Sequence, residues 1–146
     1  MAKKESPAVN SSHFYFGNAA EDNVADTGWF VGQFVAHTMG HRHQTAVELK
    51  WGVHRCGQSR PGGSEANGVA TTISILVRGK LETVFTVAGQ PHVVRLEREG
   101  DYIVFGPEVK HDWEALEDSI VLSVRFPSVD VRDPVQARRG GPAAGI

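Results

Sequence analysis

The chain has 146 residues, 40% of them hydrophobic, and a formal net charge of −2. That length supports one domain with a sizeable core, and so small a charge offers no electrostatic footprint for nucleic acid or an anionic membrane surface, so neither is expected as a partner. A single cysteine, Cys56, excludes an internal disulfide and suits a reducing compartment; with no apolar run of membrane-spanning or signal-peptide length, a soluble cytoplasmic protein is expected.

Residues 1–27 read as a leader, flexible over 1–12, with His13–Phe16 long enough for a short strand and a polar, acidic stretch after it. Gly28–Val35, GWFVGQFV, has strand length, with Gly32 marking a bulge or a close backbone approach. A loop carrying His37, His41 and His43 follows. Thr45–Cys56 alternates as a strand does, with Glu48, Lys50, Gly52 and His54 on one face and Leu49, Trp51 and Val53 on the other. Gly57–Gly68 is a Gly/Pro/Ser loop, and Val69–Arg78 is a strongly β-branched strand. Gly79-Lys80 turns into Leu81–Val87, and AGQP turns that strand back as His92–Leu96. Gly100-Asp101 opens Tyr102–Phe105, which Gly106-Pro107 ends. His111 and Trp113 share one parity on the next strand. Glu117-Asp118 then leads into Ile120–Phe126. Residues 129–146 have the composition of a low-order tail. The total is about eight or nine short strands with no helical period, which predicts an all-β sandwich or barrel.

The stretch GDYIVFGPEVKH resembles the second motif of the cupin superfamily, with Gly100, Asp101, Pro107 and His111 in the family's order. The wider skeleton GWFVGQF, VELKWGVH, TTISILVRGK and GDYIVFGPEVKHDWEALEDSIVLSVRFPS is similar to small stand-alone bacterial single-domain cupins, over about residues 28–128. The resemblance implies a double-stranded β-helix (jelly-roll) cupin barrel across 28–128, with a small-molecule pocket in the barrel mouth. In metal-bearing cupins the position of His111 is a metal ligand. The first motif departs from the family: Gly79 matches, but Thr72 stands where a Glu is expected. The two His positions fall near Glu65 and Asn67, or near Gly63 and Glu65, by either count. A replacement set for a divalent metal would be His111, His54 and Glu48, with Glu65 from the loop. A transition metal needs about three or four converging donors, and only His111 keeps its family ligand position, so no cofactor is expected, with a divalent metal on the replacement set as the alternative. Purified protein is expected to carry less than about half an equivalent of metal.

Alternation alone allows either face of this strand inward, with Leu49, Trp51 and Val53 in the core and the charges in water as the plainer choice. Because the resemblance implies a barrel whose first-motif strands send polar residues into the cavity, Glu48, Lys50 and His54 are read as facing inward, with Leu49, Trp51 and Val53 as an apolar outer face. Such a face, and sheet edges that need cover, suit a homodimer. A buried Glu–Lys pair beside a His shifts all three pKa values and supplies acid–base chemistry. The candidate catalytic residues are therefore His111, Glu48, Lys50 and His54. Trp113, Thr72, Ser74 and Arg60 are the candidate substrate contacts: Trp113 by its parity with His111, Thr72 and Ser74 by their shared parity, and Arg60 as a loop guanidinium able to reach a carboxylate. Arg78 and Arg125 read as surface or salt-bridged, and His41, His43 and His92 as exposed. Two functions fit. One is an enzyme acting on a metabolite, of isomerase, cyclase, lyase or oxygenase class; the other is a non-catalytic ligand-binding or sensory module. An iron oxygenase needs a facial triad, and none can be assembled from these residues.

Overall fold

Alternation of side chains along short strands governs the architecture. The computed structural model describes residues 13–63 and 68–128. The leader 1–12, the positions Glu65 and Asn67 and the tail 129–146 lie outside the described residues. Eight strands are present among these: β1 (Trp29–Val31), β2 (Glu48–His54), β3 (Thr71–Arg78), β4 (Leu81–Val87), β5 (Gln90–Leu96), β6 (Tyr102–Phe105), β7 (Lys110–Ala115) and β8 (Ser119–Phe126). They form a five-stranded sheet ordered β1-β2-β8-β3-β6 and a three-stranded sheet ordered β5-β4-β7. The chain crosses from one sheet to the other after β3, β5, β6 and β7, which winds it as a double-stranded β-helix. No helix among the described residues is long and apolar enough to cross a membrane.

Local differences from the sequence reading have physical causes. Gly28–Val35 is a strand only over Trp29–Val31, because the pairing of β1 with β2 shifts register there and Gly32 takes φ +155. A side chain at Gly32 would press on the Cβ of Glu48 and on the Phe34 ring. His13–Phe16 forms no strand. It leads instead to α1 (Ala19–Asp22), started by the Asn18 side chain, which accepts from the Ala20 N–H at 2.9 Å. This segment is tied to the sheet. The Asn23 amide donates to the Trp51 carbonyl at 2.9 Å, and the buried Arg42 donates to the Asp22 carbonyl at 3.2 Å. The return strand β5 begins at Gln90, because Ala88 and Gly89 alone make the turn with φ +51 and +74.

Register aligns the inner face in rows. Glu48, Arg125, Thr72 and Phe105 lie side by side across β2, β8, β3 and β6, and Lys50, Ser123, Ser74 and Ile103 form the next row. Further along, Leu76 and Val121 meet Leu81, Phe85, Leu96 and Ala115 of the other sheet in an apolar core. One end of the interior is thus apolar and the other polar. Outside, Leu49, Val124, Ile73 and Val104 make one row, and Trp51, Leu122, Ile75 and Tyr102 the next. At the β3–β4 turn, Gly79 has φ +96, and a side chain there would run into the Asp118 carbonyl and the Ser119 hydroxyl.

Candidate functional site

The polar end of the interior is built on β2. Its burial alternates so that Glu48, Lys50, Gly52 and His54 face inward, with Glu48 only 1% and Lys50 and His54 each 8% exposed. Burying three ionisable groups is costly unless each is accommodated.

Glu48 is accommodated by Arg125. Residue-for-residue pairing of β2 with β8 sets Arg125 opposite Glu48, and its Nη1 lies 3.0 Å from Glu48 Oε1. The Ser128 hydroxyl donates to Glu48 Oε2 at 3.0 Å and accepts from the Gln33 N–H at 2.9 Å. Arg125 is fully buried, so the surface alternative for it does not hold and the salt-bridged one does. Its guanidinium lies 4.5 Å from the Trp29 ring centre, over the face of the ring. The ion pair that alternation alone suggested between Glu48 and Lys50 is thus found between Glu48 and Arg125.

Lys50 Nζ stands 5.7 Å from the centre of the same Trp29 ring. Its stem passes close over Gly28, where a Cβ would meet the Lys50 Cε at 2.9 Å. Burial lowers the Lys50 pKa to about 8, and repulsion from Arg125 and Arg60 adds to the effect. His54 packs against Trp113 of the opposite sheet, ring centres 4.2 Å apart. Gly52 leaves room for that imidazole, since a Cβ there would lie 2.7 Å from His54 Nε2. Burial, and then the charge of Lys50, lowers the His54 pKa to about 4, so its ring is neutral at physiological pH.

Lys50, His54 and Trp113 line a partly open cavity of about 470 Å³ together with Thr27, Gly28, Gln58, Ser59 and Pro61, and its rim reaches Trp51 and Val53 at the edge of β2. The wall at 58–61 exists because this loop pairs along β7. The Gly57 and Arg60 N–H groups donate to the carbonyls of Ala115 and Trp113, and the Ala115 N–H donates to Gln58 O, at 2.8–3.1 Å. The same course buries Arg60, whose Nη1 donates to the Gly63 carbonyl.

The other candidates lie deeper. His111, Thr72 and Ser74 are fully buried in the interior and are not on the wall of this cavity. His111 Nδ1 lies 3.0 Å from the Val109 carbonyl. A carbonyl only accepts, so Nδ1 carries the proton. The imidazole is packed between sheets, 4.7 Å from the Phe105 ring and 6.2 Å from Phe85. Ser74 and Ser123 hydroxyls are 3.4 Å apart. His41 is exposed, while His43 stacks on His37 at 3.8 Å, and its Nδ1 donates to the Val35 carbonyl at 2.7 Å. His92 is exposed on β5. Among the described residues no three His, Cys, Asp or Glu side chains gather as a metal site. With two phenyl rings beside it and no three-ligand cluster among the described residues, His111 does not offer a transition metal the donors it needs.

Arg125, Ser128 and Trp29 belong to the site and escaped the sequence reading as members of it. For Arg125 a signal existed: Ser119, Val121, Ser123 and Arg125 alternate with Ile120, Leu122 and Val124, the same polar-in pattern as β2.

No protein-family model matches the sequence, and no curated protein matches it significantly in sequence. Solved structures do match. The KdgF protein of Halomonas sp. is 24% identical with a TM-score of 0.51, covering 62% of this chain and 76% of its own. A Klebsiella pneumoniae protein with a double-stranded β-helix domain is 18% identical at TM-score 0.50, covering 58% and 66%. An oxalate decarboxylase is 16% identical at TM-score 0.51; the match covers 58% of this chain but only 22% of that enzyme. What these proteins share with the chain is the winding of the two sheets.

Proposed function

From the premise that the chain has the cupin fold, we propose that it binds a small metabolite between its sheets and transfers a proton on it. Lys50 is the acid–base group. The observation that carries this is the convergence of Lys50, His54 and Trp113 on one cavity of about 470 Å³, large enough for a metabolite. With its pKa lowered to about 8, Lys50 holds a usable fraction of free amine near neutral pH, so it can take a proton as a base and return it from the ammonium. His54, held neutral, offers a hydrogen-bonding ring without adding charge. Glu48 is pinned by Arg125 and Ser128 and fixes the polar end of the interior; it takes no proton in this scheme. His111 and Trp113 shape the interior from β7.

The reaction class this supports is isomerase, cyclase or lyase. Oxygenase chemistry through a metal triad has no ligand set among the described residues. Metabolites incubated with the protein in deuterium oxide and followed by NMR test the reading. Wild type should exchange a substrate proton for deuterium, and Lys50→Met should not. Binding without exchange would make the protein a ligand-binding or sensory module instead.

We also propose that the protein pairs as a homodimer through the outer face of the five-stranded sheet. Its two apolar rows carry Val104 and Tyr102 at 53% and 66% exposure, apolar surface that a second copy would cover.

A further inference from the structure

Resting on the proton transfer just proposed, we infer that the substrate is a carbonyl compound with a hydrogen on the adjacent carbon, its carbonyl oxygen held by the Trp113 indole N–H beside His54.

Two buried nitrogens point this way. The Trp113 indole N–H and His54 Nε2 are both buried without a hydrogen-bond partner among the described residues. Their side chains, 5% and 8% exposed, pack ring on ring at 4.2 Å and line the same cavity. A protein interior pairs nearly every such group, so two orphans side by side on a cavity wall mark the place of a ligand atom. An indole only donates, so the ligand atom that meets Trp113 is an acceptor. His54 Nε2 lies over Gly52, 2.7 Å from where a Cβ would stand, and Gly52 is itself cavity wall. This nitrogen is therefore aimed along the inner face of β2, toward the Lys50 side.

Chemistry supplies the class. An amine cannot lift a proton from an unactivated C–H bond. Next to a carbonyl it can, because the electron pair left behind passes to oxygen. The Lys50 amine takes the proton, the C–H pair becomes a C=C bond, and the C=O π pair moves onto the oxygen. Trp113 N–H holds that oxygen, joined by His54 in its Nε2–H tautomer. Lys50 then returns the proton to the carbon or to the oxygen, and no oxidant or reductant is consumed. Neutral donors grip such an oxygen weakly while it is uncharged and strongly once it gains charge, so their effect falls on the transition state. His54, with its pKa near 4, is such a neutral group.

Three carbonyl compounds, each paired with its alcohol, test this: cyclohexanone with cyclohexanol, acetophenone with 1-phenylethanol, dihydroxyacetone with glycerol. In water, proton–nitrogen NMR follows the Trp113 indole signal, assigned by its loss in Trp113→Phe. In deuterium oxide, proton NMR follows exchange at the carbon beside the carbonyl. At least one carbonyl compound should move the indole proton downfield saturably and exchange its proton on the wild-type protein. Trp113→Phe, shown folded by circular dichroism, should slow exchange at saturation about a hundredfold, the scale of one lost oxyanion donor. Exchange without an indole shift, or an unchanged rate in Trp113→Phe, overturns the inference and leaves the proton transfer standing. An indole shift with the alcohols alone, or no response to any carbonyl compound, overturns the substrate class. Lys50→Met exchanging as fast as wild type would instead overturn the proton-transfer reading, so the two fail separately. The wild-type readings need no variant.

Discussion

Lys50 gives the sharpest test of the buried polar end, through stability rather than activity. In the folded chain its pKa is about 8 instead of 10.5, chiefly through burial, then through Arg125 and Arg60. Between those values the unfolded chain binds more protons than the folded one, so the Lys50 contribution makes stability rise with pH across that window. The full displacement corresponds to about 3 kcal/mol. At 8% exposure, little of it is screened by water. Lys50→Met keeps the length of the stem and removes the titration. At pH 7 the variant escapes the cost of burying an ammonium and should be the more stable protein. By pH 10.5 wild type should have recovered about 3 kcal/mol relative to it. Urea unfolding of both proteins at the two pH values reads the gap directly. A gap that stays constant with pH, or moves the other way, refutes the placement of a charged Lys50 in the interior.

Three further outcomes follow from the same geometry. Glu48→Ala strands the buried Arg125 guanidinium and should cost roughly 3–5 kcal/mol in urea unfolding, with most of it restored by adding Arg125→Met; a loss under about 1 kcal/mol would show the pair is not buried as described. His54 is neutral in the fold with a pKa near 4 against the usual 6.5, so its contribution to stability is lost as pH falls through that interval, by about 3 kcal/mol; His54→Phe should flatten the acid limb of a melting-temperature profile, and an unchanged limb would contradict the burial. Sedimentation at micromolar concentration should show a dimer, and Leu122→Glu in the middle of the outer face should give a folded monomer; a wild-type monomer would sink the pairing.

The legible part of the site was what alternation encodes. Along β2, polar and apolar residues strictly alternate, so the common direction of Glu48, Lys50 and His54 was readable. Whether that direction was inward depended on what the partner strands offered. β8 offers Arg125, Ser123 and Ser119 on the same side, a match visible only once the register between two strands far apart in sequence is known. The pairing of Glu48 was missed for that reason. His111 was placed in the interior by its motif and parity, but whether it lines a cavity or packs in the core is decided by Phe85 and Phe105, which arrive from different sheets. The loop at 57–61 reads as structureless because Gly, Pro and Ser dominate it. Its backbone hydrogen bonds to β7 depend on no side-chain pattern, and they make it a wall of the cavity. The short helix α1 rests on one cap residue, too brief a signal for any period to show.

The central claim is that a small molecule occupies the space between Lys50, His54 and Trp113. Proton–nitrogen NMR spectra of the labelled protein, recorded with and without a fractionated metabolite extract, test it most directly. The account predicts that a fraction containing the ligand moves the Trp113 indole signal and the His54 ring signals, while the outer-face residues Leu122 and Tyr102 stay where they are. Shifts confined to the outer face, or a Trp113 indole indifferent to every fraction, would contradict it.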